Sequence, residues 1–150
     1  MIFLAYALVS WLVGAFSIDW RRWRRGYPTA LAGALGSCVL DLSGLGHGGW
    51  WTYHSRWLPG LWPNLVLNLS LYPVGAWTFA QRLPRRGGRL FLWGLLGEAV
   101  LVAEEAGLWL SGHLSYRNGW GIGWSALLNV GLLAGLLAHA RWAEGLWARR

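Results

Sequence analysis

The chain has 150 residues, enough for one domain. Of these, 55% are hydrophobic, 15% aromatic and 13% charged, about half the charged fraction of ordinary soluble domains, which excludes a disordered chain and argues against a soluble enzyme. The formal charge is +7 and every basic residue is arginine. The arginines stand in groups beside apolar runs rather than along a continuous stripe, so the basic balance points to a membrane and not to nucleic acid.

Five apolar runs follow one another, each close to the roughly 20 residues that cross a hydrocarbon core. The first covers about residues 1–18. Basic residues come after it rather than before it, so it reads as a retained helix and not a cleaved signal peptide. The second covers about 28–46, with Pro28 placed at a helix start. Cys38 lies inside it as the single cysteine, which excludes an intrachain disulfide and reads as a packing thiol. The third run covers about 61–81, the fourth about 90–112 and the fifth about 120–140. A short tail, 141–150, follows, with Trp142, Leu146 and Trp147 spaced to extend the fifth helix along the interface.

The connections carry four, one, four, one and three arginines in chain order. This alternation is a positive-inside pattern. It assigns Arg21, Arg22, Arg24 and Arg25, then Arg82, Arg85, Arg86 and Arg89, then Arg141, Arg149 and Arg150 to the cytoplasmic side. The predicted architecture is an all-α integral membrane bundle of five transmembrane helices, one domain, with the N-terminus outside and the C-terminus cytoplasmic. Thirteen of the fourteen tryptophans fall near span ends, where indole rings favour the interface. Gly131 and Gly135, and the row Ala99, Ala103 and Gly107, provide small surfaces for close helix packing.

Polar groups are expensive in hydrocarbon, so those inside the runs are the candidates for function. At 1.5 Å per residue, Asp41 lies roughly 20 Å above the start of the second helix and Glu105 roughly 22 Å up the fourth. Asn68 and Asn129 lie roughly 10 and 13 Å below the outer surface. Asn64 and Asn68 share a face of the third helix, and Glu98 and Glu105 share one of the fourth, with Glu104 turned about 100° away. The outer connections add His47, Tyr53, His54 and Arg56, and His113, Tyr116, Arg117 and Asn118. Together these predict a polar pocket open to the outside and built from Asp41, Asn64, Asn68, Glu105, Tyr116, Asn118, Trp120, Trp124, Ser125 and Asn129. Three readings remain: a ligand pocket, an ion or proton path through Glu98 and Glu105, and a polar cluster that only sets helix register. His54, His113, Glu105 and Asp41 lack the short spacings of metal sites, so no metal or cofactor is expected. Ser115 and Ser125 lack a nucleophile elbow, and no phosphate-binding loop is present.

A string of motifs runs through the chain beyond the first helix. Trp23 precedes Tyr27-Pro28-Thr29; Trp51-Thr52-Tyr53 and Tyr72-Pro73 follow; Glu105 stands eleven residues before Tyr116-Arg117-Asn118-Gly119-Trp120; Trp124-Ser125, Asn129 and His139 close the series. On these the chain resembles a family of small multi-pass membrane proteins of unknown function from Gram-positive, largely spore-forming bacteria. Asn64 and Ser37 stand where members often carry an acid, and Arg117 where His is frequent, a departure from any metal or proton-relay pattern. The resemblance implies a multi-pass protein of the cell membrane and singles out Glu105, Tyr116, Asn118, Trp120, Trp124, Ser125 and Asn129. The expected function is non-enzymatic binding of a small ligand, a lipid headgroup or a partner segment, with the bilayer as surroundings and no nucleic acid.

Overall fold

The first apolar run forms α1 (Ile2–Ser17), and a short 3-10 segment, Trp20–Arg25, leads from it into α2 (Tyr27–Leu42). This computed structural model describes residues 1–84 and 87–147, with the side chains of all but 46, 47, 146 and 147. Arg85, Arg86, Arg149 and Arg150, and the side chains of His47, Leu146 and Trp147, therefore lie outside the described residues. Pro28 stands in the first turn of α2, where its missing N–H costs nothing. The helix ends in a π-helical turn, Ser43–Gly48, and Gly49 reverses the chain in the left-handed region at φ 55°.

The third run is one predicted helix but two observed ones, α3 (Trp62–Asn68) and α4 (Leu71–Gln81). Pro73 explains the break. A continuous helix would need an N–H at position 73 to reach the Leu69 carbonyl, and the proline ring would collide with that carbonyl instead. The helix restarts at Leu71, so Pro73 falls in a first turn, and the Ser70 hydroxyl donates back to the Val66 and Leu67 carbonyls at the end of α3. The fourth run forms α5 (Gly88–Leu110), and the fifth forms α6 (Ile122–Trp147), which absorbs the described tail. Two strands were not anticipated. β1 (Trp51–Tyr53) pairs antiparallel with β2 (Leu114–Tyr116), Trp51 opposite Tyr116 and Tyr53 opposite Leu114. Both are short runs containing aromatic residues, whose side chains suit a pleated, half-covered surface.

Helix occupies 76% of the structure. Two helical stretches, Tyr27–Leu45 and Ile122–Gly145, are long and apolar enough to cross a membrane; Ile2–Ser17 is apolar but shorter. The central element is α4, packed against α1, α2, α3 and α6, while α6 also bridges α2 and α5. At one end, Asp19 and Gln81 exchange hydrogen bonds at 2.9 and 3.0 Å, Ser17 and Thr78 share one at 3.1 Å, Arg25 meets Glu144 at 3.1 Å, and Thr29 meets His139 at 3.2 Å. This is the arginine-rich end. At the other, the strand pair caps the bundle over a core of Phe3, Trp51, Leu67, Leu108 and Leu114.

Small residues set the helix spacing. A Cβ on Gly33 of α2 would lie 2.7 Å from the Ala76 Cβ of α4, nearer than carbon atoms approach one another. The expected glycine pairs behave differently. Gly107 packs beneath the Tyr6 hydroxyl of α1, but a Cβ at Gly131 or Gly135 would meet nothing within 4 Å. Overpacking at such a contact costs about 1–3 kcal/mol. Gly33→Ala is therefore expected to destabilise the protein by about that amount in a reversible unfolding titration in detergent, while Gly131→Ala leaves the midpoint unchanged.

Candidate functional site

A cavity of about 40 Å³ lies beneath the strand pair, bounded by α2, β1, α4, α5 and α6. That is room for roughly three water-sized groups. Its polar lining comes from Ser37, Asp41, Tyr53, Tyr72, Glu104, Glu105, Ser125 and Asn129, with Trp51, Leu101 and Leu128 among the apolar walls. Three carboxyl groups therefore line one small space, and no arginine or histidine among the described residues does.

Asp41 is the most firmly held of the three. The Trp51 indole N–H donates to its Oδ1 at 3.1 Å and the Asn68 amide donates to its Oδ2 at 2.8 Å. Each donor depends on a backbone feature. The Trp51 ring lies across Gly44, where a Cβ would collide with it, and Asn68 is the last residue of α3 before the Pro73-induced break. Glu105 accepts from the Tyr116 hydroxyl at 2.8 Å, and the Ser125 hydroxyl interacts with the same carboxyl. Burial and the neighbouring Glu105 hold the Tyr116 phenol above the ordinary tyrosine range, so it remains a donor at neutral pH. The Trp120 indole donates to Ser125 Oγ at 2.9 Å and stacks on Trp50 at 4.6 Å between centroids, tying α6 to the strand pair.

Two lining groups have no such support. Glu104 Oε1 is buried without a hydrogen-bond partner, and the Asn129 side chain, 9% exposed, makes no hydrogen bond to the described residues. Buried polar atoms are paired in the great majority of cases, which singles out Glu104 Oε1, while the Asn129 amide borders the cavity with its hydrogen bonds still to be made.

Of the residues singled out from sequence, Asp41, Glu105, Ser125 and Asn129 line the cavity, while Asn68, Tyr116 and Trp120 stand directly behind it as hydrogen-bond donors. Three stand elsewhere. Asn64 is buried in α3 with its Nδ2 unpartnered, away from the cavity wall. Asn118, at φ 53°, donates to the Gly48 and Gly49 carbonyls at 3.2 Å and clasps the two connections together. Trp124 is 58% exposed and meets the Trp120 ring at 6.3 Å between centroids. Glu98 does not line the cavity, although both its carboxyl oxygens are buried without partners. Ser37, Trp51, Tyr72 and Glu104 are additions that the sequence reading did not place in the pocket, and Tyr53, expected above it in the outer connection, lines it directly. One signal for Ser37 was available: Thr29, Gly33, Ser37 and Asp41 recur every fourth residue and form the buried face of α2. Glu104 joins Glu105 because the cavity reaches across two faces of α5, which no single-helix projection reveals.

Asn68→Leu removes a donor from a buried carboxyl while preserving volume. It is expected to cost about 1–3 kcal/mol in detergent unfolding, and Trp51→Phe, which keeps the ring over Gly44, a comparable amount.

In comparison with known proteins, the chain matches no family model, no curated protein and no solved structure.

Proposed function

We propose that the chain is a multi-pass protein of the cell membrane, of the small-protein family it resembles, and that it binds a small polar ligand non-enzymatically in the carboxyl-lined cavity. In this reading all five apolar runs cross the bilayer. The arginine-rich end faces the cytoplasm, and the strand pair and N-terminus face outward.

The observation that carries the membrane reading is an inverted distribution of polarity. Large apolar side chains face outward all around the bundle: Leu8 and Phe16 on α1, Leu35 at 67% exposure on α2, Phe91 at 68% on α5, Leu127 and Val130 on α6. The interior meanwhile holds Thr29, Ser37, Asp41, Asn64 and Asn129, with Asn68 only 1% exposed. Water would penalise that surface by roughly 25 cal/mol per Å² of apolar area, whereas hydrocarbon does not. Trp20 and Trp23 are exposed at the arginine-rich end and Trp57 and Trp62 at the other, where the two interfaces would lie. α5 has the length of a span but carries Glu98, Glu104 and Glu105. Two of these face the cavity, which is where intramembrane acids are tolerated.

The binding reading rests on the unpartnered Glu104 and Asn129 groups. A second reading, conduction of protons or cations, is favoured by Glu98 alone, whose carboxyl is buried and unpartnered one step toward the arginine-rich end. It requires a hydrated route from Glu105 past Glu98, and the cavity stops short of Glu98.

Two measurements test these proposals. In a Cys38→Ser background, His54→Cys is expected to react with an impermeant thiol reagent on intact cells and Arg89→Cys only after permeabilisation; the reverse pattern overturns the orientation. Native mass spectrometry in mild detergent is expected to find a discrete added mass on the wild type that folded Glu105→Gln lacks. A bare protein in both, together with ion flux in liposomes that Glu105→Gln abolishes, would favour conduction.

A further inference from the structure

We infer that the ligand of this cavity is a small zwitterion whose primary ammonium group enters the carboxyl-lined space while its anionic group stays in the cleft beside Arg56. The inference rests on the binding reading above and adds the chemistry of the ligand.

The inner cavity selects for a hydrogen-bonding cation. Its charge-bearing groups are the carboxyls of Asp41, Glu104 and Glu105, beside the amide of Asn129, which makes no hydrogen bond to the described residues, and no cationic side chain among the described residues lines it. An ammonium group brings three donors to a lining rich in carboxyl oxygens, and charge-assisted hydrogen bonds of this type are about twice as strong as neutral ones. Coordination of a metal ion by these acids is disfavoured on geometry: among the described residues no three His, Cys, Asp or Glu side chains converge as a metal site would require. Size narrows the choice further. About 40 Å³ admits the nitrogen and one or two carbons. A trimethylammonium group is larger, has no N–H to offer these oxygens, and is ordinarily held by the faces of an aromatic cage.

The outer cleft selects for an anion. It encloses about 400 Å³ at the strand-pair end and is lined by Tyr53, His54, Ser55, Arg56 and His113, with no acid among its lining residues. Arg56 makes no ion pair within the described residues, which leaves its guanidinium fork available to a phosphate or carboxylate. Tyr53 lines both spaces, which places them side by side. Phe3 and the strand pairing with Leu114 hold it there. A molecule with an amine two carbons from its phosphate has this polarity. It could be a free metabolite or the headgroup of a membrane lipid.

The test is titration calorimetry on the full chain in nanodiscs of phosphatidylcholine. O-phosphoethanolamine is compared with phosphocholine, with 2-hydroxyethyl phosphate and with ethanolamine. Saturable binding of O-phosphoethanolamine is expected, weakened about tenfold or more for 2-hydroxyethyl phosphate and for phosphocholine. Arg56→Ala is expected to weaken O-phosphoethanolamine and leave ethanolamine unchanged, and Asn129→Leu to weaken both. Melting without ligand establishes that each variant is folded, and Glu104→Gln replaces Asn129→Leu if the latter is not. Nanodiscs of phosphatidylethanolamine separate the sources: occupancy by lipid abolishes binding of the free compound there, whereas a metabolite site binds it equally in both. Equal binding of 2-hydroxyethyl phosphate or phosphocholine overturns the ammonium assignment and leaves the pocket standing. Absence of binding by all four compounds overturns the zwitterion, and the pocket falls with it only if native mass spectrometry also finds no added mass.

Discussion

The Asp41 carboxyl organises the upper half of the molecule. It sits on α2, takes one hydrogen bond from Trp51 on β1 and another from Asn68 at the end of α3, and so binds three chain segments at a single point. A buried carboxyl without such donors would cost several kcal/mol, and the surrounding structure is arranged to supply them. Gly44 leaves room for the Trp51 ring, and the break before Pro73 ends α3 where the Asn68 amide reaches α2. With Trp51 held, the strand pair is held, and through it Tyr116 is brought to Glu105.

The lower half relies on a different device. Helix ends near the arginine-rich side are joined by polar contacts at the rim, the reciprocal Asp19–Gln81 pair, the Arg82 guanidinium on the Ser17 carbonyl and the Arg25–Glu144 ion pair, rather than by a deep polar cluster. These are exposed, and an exposed pair contributes at most about 1 kcal/mol. Close packing carries the load instead, with Gly33 against Ala76 and Ile18, Ala30 and Trp77 forming a small apolar core. The consequence is an asymmetric bundle, with its buried carboxyl cluster and cavity at the strand-pair end and exposed polar contacts at the other.

That asymmetry gives the cavity its chemical character. Asp41 and Glu105 are anchored by donors from rigid neighbours, whereas Glu104 and Asn129 face the same space with unsatisfied atoms. A site built this way holds part of its lining fixed and leaves the remainder for whatever enters. The cleft above it, with Arg56 and no acid, has the opposite electrostatic sense, and Tyr53 lines both.

The amino-acid sequence by itself determined most of the helical segments and several of the polar residues that line the cavity, because an apolar run and a carboxylate inside it are local facts. Asp41, Glu105, Ser125 and Asn129 were legible on those terms. Even the division of the third run was written locally, in Pro73, though run length alone concealed it. Only the tertiary structure decided which of these residues meet. The strand pair joins segments more than sixty residues apart, and neither it nor the Trp51–Asp41 bond follows from any periodicity. The exclusion of Trp124 from the cavity, and the arrival of Glu104 and Tyr72 within it, depend on how α4, α5 and α6 are rotated about their axes. That rotation is set by contacts such as Gly33 on Ala76, which a sequence read one helix at a time does not contain.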